Sequence, residues 1–292
     1  MELELKRGGR TARVETLGGE LVSYRDERGL EYIWGGDPAY WPGRNPLLFP
    51  IVGMLKEGKI RFDGREYAME RHGFARRREF TPAARGEDWV RLELRESAET
   101  LALYPYSFLL AVEQRLTDTG FSTAVTVANP GEGPLPFCLG AHTGFRCPLE
   151  AGERFEDYEL VFPERESCPT LLLRDGLLDR PAALPCLEDT DTLPLDYRWF
   201  DALDTLIFEG LRSRSVTLRS RKSGRGVRVS FDGFPMLAFW TMPGKKAPYL
   251  CIEPWHGCAA GTAEGPEFTD KAHCIVLAPG ESRTLAYRAD TL

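Results

Sequence analysis

The chain has 292 residues, 42% hydrophobic and 28% charged, which is enough to bury a substantial core. A formal charge of -7 at pH 7 argues against a nucleic-acid partner, because phosphate backbone is held by basic surface. No apolar run approaches the roughly 18 residues of a spanning helix, and Met1 to Arg7 lacks a charged-then-apolar leader, so neither a membrane nor a secreted location is expected.

The first tract of interest is Arg44-Asn45-Pro46-Leu47-Leu48-Phe49-Pro50, apolar and stiffened by proline. The Arg44 guanidinium there needs a carboxylate or a ligand hydroxyl as partner. His72 follows in Arg71-His72-Gly73-Phe74-Ala75-Arg76, where glycine permits close backbone approach. A ligand-orienting histidine and a plain turn histidine both fit that setting.

Alternation then dominates. Val90-Arg91-Leu92-Glu93-Leu94-Arg95 puts apolar residues on one face and charges on the other, as a half-buried strand does. Ser97 to Leu103 reads as a short helix. Phe108 to Val112 and Phe121 to Val127 alternate on either side of the turn Asp118-Thr119-Gly120. His142 comes next, after the apolar Pro136-Phe137-Cys138-Leu139-Gly140-Ala141 and before Thr143-Gly144-Phe145; small neighbours leave room for a ligand. With an ordinary pKa of about 6.5, histidine suits proton transfer near neutrality, while a satisfied core histidine is the plainer alternative.

Tyr158 to Phe162 is the next candidate strand, and Arg165 to Arg198, rich in Pro, Asp and Leu, reads as a long excursion over the sheet with hairpins. Asp204 leads into Leu206 to Phe208 and either binds hydroxyls or caps a turn. Val216 to Leu218 and Val227 to Phe231 flank the hairpin turn Gly224-Arg225-Gly226, and Leu237 to Trp240 follows. In Tyr249-Leu250-Cys251-Ile252-Glu253-Pro254-Trp255 a lone carboxylate ends an apolar strand, which costs several kcal/mol unless partnered. Glu253 is therefore either a general base or a structural carboxylate. Ala259 to Glu264 reads as a second short helix and Cys274 to Leu277 as a further strand.

Strands without helices between them argue for antiparallel sheets in an all-β sandwich or barrel, taken here as a single domain over 1–292. Seven cysteines without a CxxC pair point to free thiols and a reducing cytoplasm. His256 and His273 lack zinc-site spacing, and no nucleophile elbow, phosphate loop or dinucleotide fingerprint occurs, so no metal or cofactor is expected.

Five tracts together resemble the aldose 1-epimerase (galactose mutarotase-like) family, especially its shorter bacterial branch. They are Arg44-Asn45-Pro46 through Gly53, Arg71 to Arg76, Gly140-Ala141-His142, Asp204 to Phe208 and Cys251 to Trp255, in order over nearly the whole chain. The resemblance implies a large twisted antiparallel β-sandwich (galactose mutarotase-like supersandwich) with few short helices and a sugar site on its concave face. It also implies Glu253 as general base, His142 as general acid, and His72, Arg44 and Asp204 as residues that bind a monosaccharide. Trp240 and Trp255 are added as stacking surfaces, because aromatic rings pack against apolar sugar faces. Two departures stand out. Thr143-Gly144 replaces the proline and alanine of many relatives, and His256 stands where an aromatic residue is common. The expected activity is anomer exchange of a free aldose. The alternatives are a hexose-6-phosphate epimerase, which needs arginines gathered at one end of the cleft, and a non-catalytic carbohydrate-binding protein. Monomer and homodimer remain open.

Overall fold

The computed structural model describes residues 1–292. Its main element is a 15-stranded sheet in which neighbouring strands run antiparallel. From one edge the order begins Leu47–Leu48, Leu139–Ala141, Tyr249–His256, Met236–Trp240, Thr205–Glu209 and Tyr158–Arg174. It continues through Ser215–Ser220, Gly226–Ser230, Ser282–Thr291, Gly120–Ala128, Leu109–Leu116 and Trp89–Arg95 to Thr81–Arg85. A three-stranded meander, Glu2–Arg7, Arg10–Glu15 and Glu20–Arg25, packs against the Leu109–Leu116 region. About 52% of the chain is strand and 8% helix, the proportions of an antiparallel β-sandwich.

Alternation decides which face each strand buries. Trp89–Arg95 buries Val90, Leu92 and Leu94 and leaves its charged residues outward, and Gly120–Ala128 buries Phe121, Thr123, Val125 and Val127. The apolar ones among these side chains join one cluster of 72 buried residues. Strands near the cleft are buried on both faces: in Tyr249–His256 every residue but His256 is buried. That double burial explains the unbroken apolar run there.

Three local expectations change. Ser97 caps a helix of only four residues, Ala98–Leu101, accepting from the Thr100 N–H, and the chain then turns off through Ala102 and Leu103. Ala259 to Glu264 is not helical. It is a loop pinned to Leu178, whose N–H donates to the Ala260 carbonyl while the Thr262 N–H donates back to the Leu178 carbonyl. Tertiary pairing thus overrides the weak helix propensity of a segment carrying Gly261. Arg165 to Arg198 proves to be mostly one long hairpin, Tyr158–Arg174 with Leu177–Pro194, broken by several register shifts. The helix Tyr197–Leu203, capped by Asp196, closes it.

Candidate active site

Strand register builds the centre of the site. Gly140 lies opposite Trp255 and Thr143 opposite Ile252, so extending the ladder from either side puts His142 opposite Glu253. Pro254 has no N–H to donate, and the ladder breaks at its level, between Leu139–Ala141 and Thr143–Arg146. On the other side Glu253 pairs with Ala238, whose methyl leaves the space over the carboxylate free. Cross-strand neighbours bring their side chains together, and here His142 Nε2 stands 3.5 Å from Glu253 Oε2.

These two groups form part of the floor of a cleft of about 520 Å³, which Trp41, His72, Arg71, Arg76, Asp204, Trp240 and Trp255 also line. The volume suits a small ligand, since such pockets run from roughly 300 to 1,000 Å³. The tip of the long hairpin, Leu173, Asp175 and Gly176, forms one rim.

The electrostatics follow from burial. Desolvation pushes the Glu253 carboxyl well above the usual carboxylate range; the Trp255 indole opposes this and the Asp204 charge adds to it. Glu253 Oε2 and Trp255 Nε1 are nevertheless buried without hydrogen-bond partners, so the indole acts as a nearby dipole. Desolvation takes the His142 imidazole down to about 3; its own backbone opposes the fall, and the Arg76 and Arg71 charges deepen it. Both shifts disfavour charge, so the ligand-free pair holds a single proton, on the carboxyl.

His72 is held differently. Its Nδ1 accepts from the Gly53 N–H at 3.1 Å while its main-chain N–H donates to the Gly53 carbonyl at 2.9 Å. Burial first, then the neighbouring His142, Arg76 and Arg71, keep the ring neutral, and with Nδ1 accepting its proton sits on Nε2 as a fixed donor. His72 and Asp204 both have positive φ, 66° and 63°, among few non-glycine residues that do. Strained backbone of this kind concentrates where side chains must be aimed. The Asp204 carboxylate accepts from the Thr205 hydroxyl at 2.8 Å.

Arg44 is the expectation that changes. Its backbone N–H donates to Glu20, and its carbonyl accepts from the Gly144 N–H at 2.7 Å. With the main chain fixed this way, the side chain turns outward, Nε donating to the Gly35 carbonyl and Nη1 standing 3.7 Å from Glu15. It does not line the cleft. The guanidinium groups that do belong to Arg71 and Arg76, and the aromatic wall beside them is Trp41. Sequence reasoning missed Trp41; the available signal was the aromatic pair Tyr40-Trp41 in a Pro-Gly loop just ahead of Arg44.

One set of atoms could hold a cation. His142, Cys251 and Glu253 offer ligand atoms within 4.8 Å of one another, a grouping that linear spacing does not reveal. Burial keeps the Cys251 thiol protonated, which works against its use as a ligand.

The aldose 1-epimerase family model matches residues 1–289. The chain is 41% identical to the plasmid-borne protein LacX of Lactococcus lactis over 98% of both chains. The structure of a galactose mutarotase related enzyme from Lactobacillus acidophilus superposes with a TM-score of 0.95 at 27% identity, covering 100% of this chain and 97% of that one. A galactose mutarotase-like protein from Lactobacillus casei gives a TM-score of 0.93 at 27% identity, covering 100% of both chains. With a family match over nearly its whole length, the chain belongs to the aldose 1-epimerase family, isomerases that act on carbohydrates.

Proposed function

We propose that the chain interconverts the α and β anomers of a free aldose by opening and reclosing the sugar ring. The observation that carries this reading is the buried His142–Glu253 pair, 3.5 Å apart and open to a cleft with indole walls. Sugar hydroxyls donating to Glu253 favour its charged form, and the single proton of the pair then passes to His142. The Glu253 carboxylate takes the proton of the C1 hydroxyl while the His142 imidazolium protonates the ring oxygen. The bond from C1 to the ring oxygen breaks, leaving the open-chain aldehyde. After half a turn about the C1–C2 bond, the ring hydroxyl attacks the other carbonyl face. Its proton returns to His142, and Glu253 gives its proton to the new C1 oxygen, so the enzyme ends as it began. His72, donating from Nε2, and Asp204, accepting, would orient the sugar; Trp240 and Trp255 would lie against its apolar faces.

A phosphorylated sugar is the second reading, and one observation favours it. Arg77 and Arg78 turn away to Glu70 and Glu99, whereas Arg71 and Arg76 face the cleft without a carboxylate partner. Arg71 donates only to the Met54 sulfur, and Arg76 to the Arg71 carbonyl, with its Nε buried and unpaired. Two such guanidinium groups at one end of the cleft suit a phosphate. The seven free thiols support a reducing, cytoplasmic setting.

Polarimetry or proton NMR on freshly dissolved α-glucose, α-galactose and their 6-phosphates tests both readings. Faster approach to anomeric equilibrium, lost in Glu253→Gln, is the expected result. Acceleration confined to the phosphates selects the second reading. Binding of the sugars without acceleration would leave a carbohydrate-binding protein and end the catalytic assignment.

A further inference from the structure

A catalytic histidine is normally aimed by a hydrogen bond to the ring nitrogen that does no chemistry. His142 has no such partner from any other residue: its Nδ1 is buried without a regular hydrogen bond, and only its own backbone lies close. What touches the ring instead is aromatic. The Trp41 indole stacks on it with centroids 4.8 Å apart and planes 29° apart. Trp240 and His72 meet its edges, both at 5.6 Å and nearly perpendicular. Trp41 is itself held by Trp240 edge-on at 5.5 Å and by Tyr249 at 5.6 Å.

The Trp41 position depends on a small residue two places after His142. A Cβ at Gly144 would come within 3.0 Å of the Trp41 ring and 3.1 Å of the Arg44 carbonyl. Thr143, between His142 and Gly144, is buried and spends its hydroxyl on Asn45 at 2.7 Å and Tyr287 at 3.0 Å, away from the cleft.

We propose that Trp41 is the positioning residue for His142, its indole face holding the imidazole toward Glu253 in place of a hydrogen bond, with Gly144 making the room. The proposal rests on the reading of His142 as the general acid. Stacking fixes the plane of the ring and its distance from the carboxylate, and shields it from water on one face. A side chain that only filled volume would shield but would not set the plane.

Trp41→Leu keeps an apolar side chain and removes the face; Trp41→Phe restores a smaller one. In the anomer-exchange assay Trp41→Leu should lower kcat by roughly 10²-fold with KM much less affected, the size expected for misplacing a reacting group by about 1 Å. Trp41→Phe should recover most of the loss. Gly144→Ala, which crowds the indole, should lower kcat in the same direction. The histidine titration, followed by NMR in the ligand-free protein, reads the effect without catalysis. In Trp41→Leu the His142 value should rise from about 3 toward the ordinary histidine range, since water reaches the ring. The other charged or titrating groups facing it, Glu253, Cys251, His72, Arg71 and Arg76, are unchanged in that variant. A Trp41→Leu protein with normal kcat and raised KM would make Trp41 only a wall for the sugar and overturn the proposal. So would a Trp41→Phe variant no better than Trp41→Leu. Glu253→Gln and His142→Asn run alongside: full activity in those variants sinks the acid–base reading itself, an outcome separate from either failure of Trp41.

Discussion

At the residue scale, the proposed mechanism rests on two groups that each resist charge and share one proton. Glu253 is raised and His142 lowered, both first by burial. The form with one proton on the pair is the active one, so activity should fall only where a second proton is added or the last one lost. The acid limb of kcat/KM should therefore lie near the lowered His142 value, far below the ~6.5 of a free histidine. The alkaline limb should follow the raised carboxyl. Initial anomer-exchange rates from pH 4 to 9 should therefore show no acid limb within that range. A limb centred near ~6.5 would mean that His142 is solvated in the working enzyme. Asp204 yields a second expectation. At φ 63° and ψ -62° its backbone sits in the strained γ-turn region, outside the left-handed helical basin, so Asp204→Asn, which keeps the size and shape of the side chain, should fold normally while raising KM for the sugar. Asp204→Leu adds backbone strain of about 1–3 kcal/mol to the same loss; equal melting temperatures for the two variants would remove the strain argument.

At the element scale, what the sequence discloses is what alternation and burial control. Val90 to Arg95 reads as a strand because its two faces differ, and Glu253 stands out because a carboxylate interrupts an apolar strand. The partner strand is another matter: nothing local to His142 says that it lies opposite Glu253, since register is set by pairing between distant segments. Arg44 misleads for a related reason. Its charge drew attention, but Glu20 and Gly144 fix its backbone so that the guanidinium faces outward, while Trp41 reaches the cleft. The helix expected over Ala259 to Glu264 fails because its backbone groups are taken by Leu178. The same strands depend on a small buried network, in which Thr143 and Tyr287 both reach Asn45 Oδ1. Thr143→Val removes one hydrogen-bond partner of Asn45 and Tyr287, which still bond each other, and should cost about 0.5–1.5 kcal/mol in urea unfolding. With its side chain facing away from the cleft, the variant should keep near-normal kcat when folded; a large fall in kcat at unchanged stability would show that the network steers His142.

At the scale of the whole molecule, the His142–Glu253 pair buried in this sandwich makes stability depend on pH in two opposing ways. His142, lowered on folding, costs nothing above the unfolded value of ~6.5; as pH falls from there toward about 3, the unfolded chain takes up a proton that the folded chain refuses. Its contribution is thus lost on acidification, at up to ~1.4 kcal/mol per pH unit, and His72 acts in the same direction. Glu253 is the reverse. With its folded value raised, it costs nothing below the unfolded value of ~4.3, and its contribution is lost as pH rises through the raised folded value, where the buried carboxyl must ionise without a cationic partner. Glu253→Gln keeps the shape and removes the ionisation. The variant should therefore be more stable than the parent at pH 8, and the advantage should shrink to nothing near pH 4. Melting temperatures of the two proteins across that range decide the matter. A constant offset at every pH would mean that Glu253 does not carry a burial penalty, and the site would lose the stored cost that keeps its proton mobile.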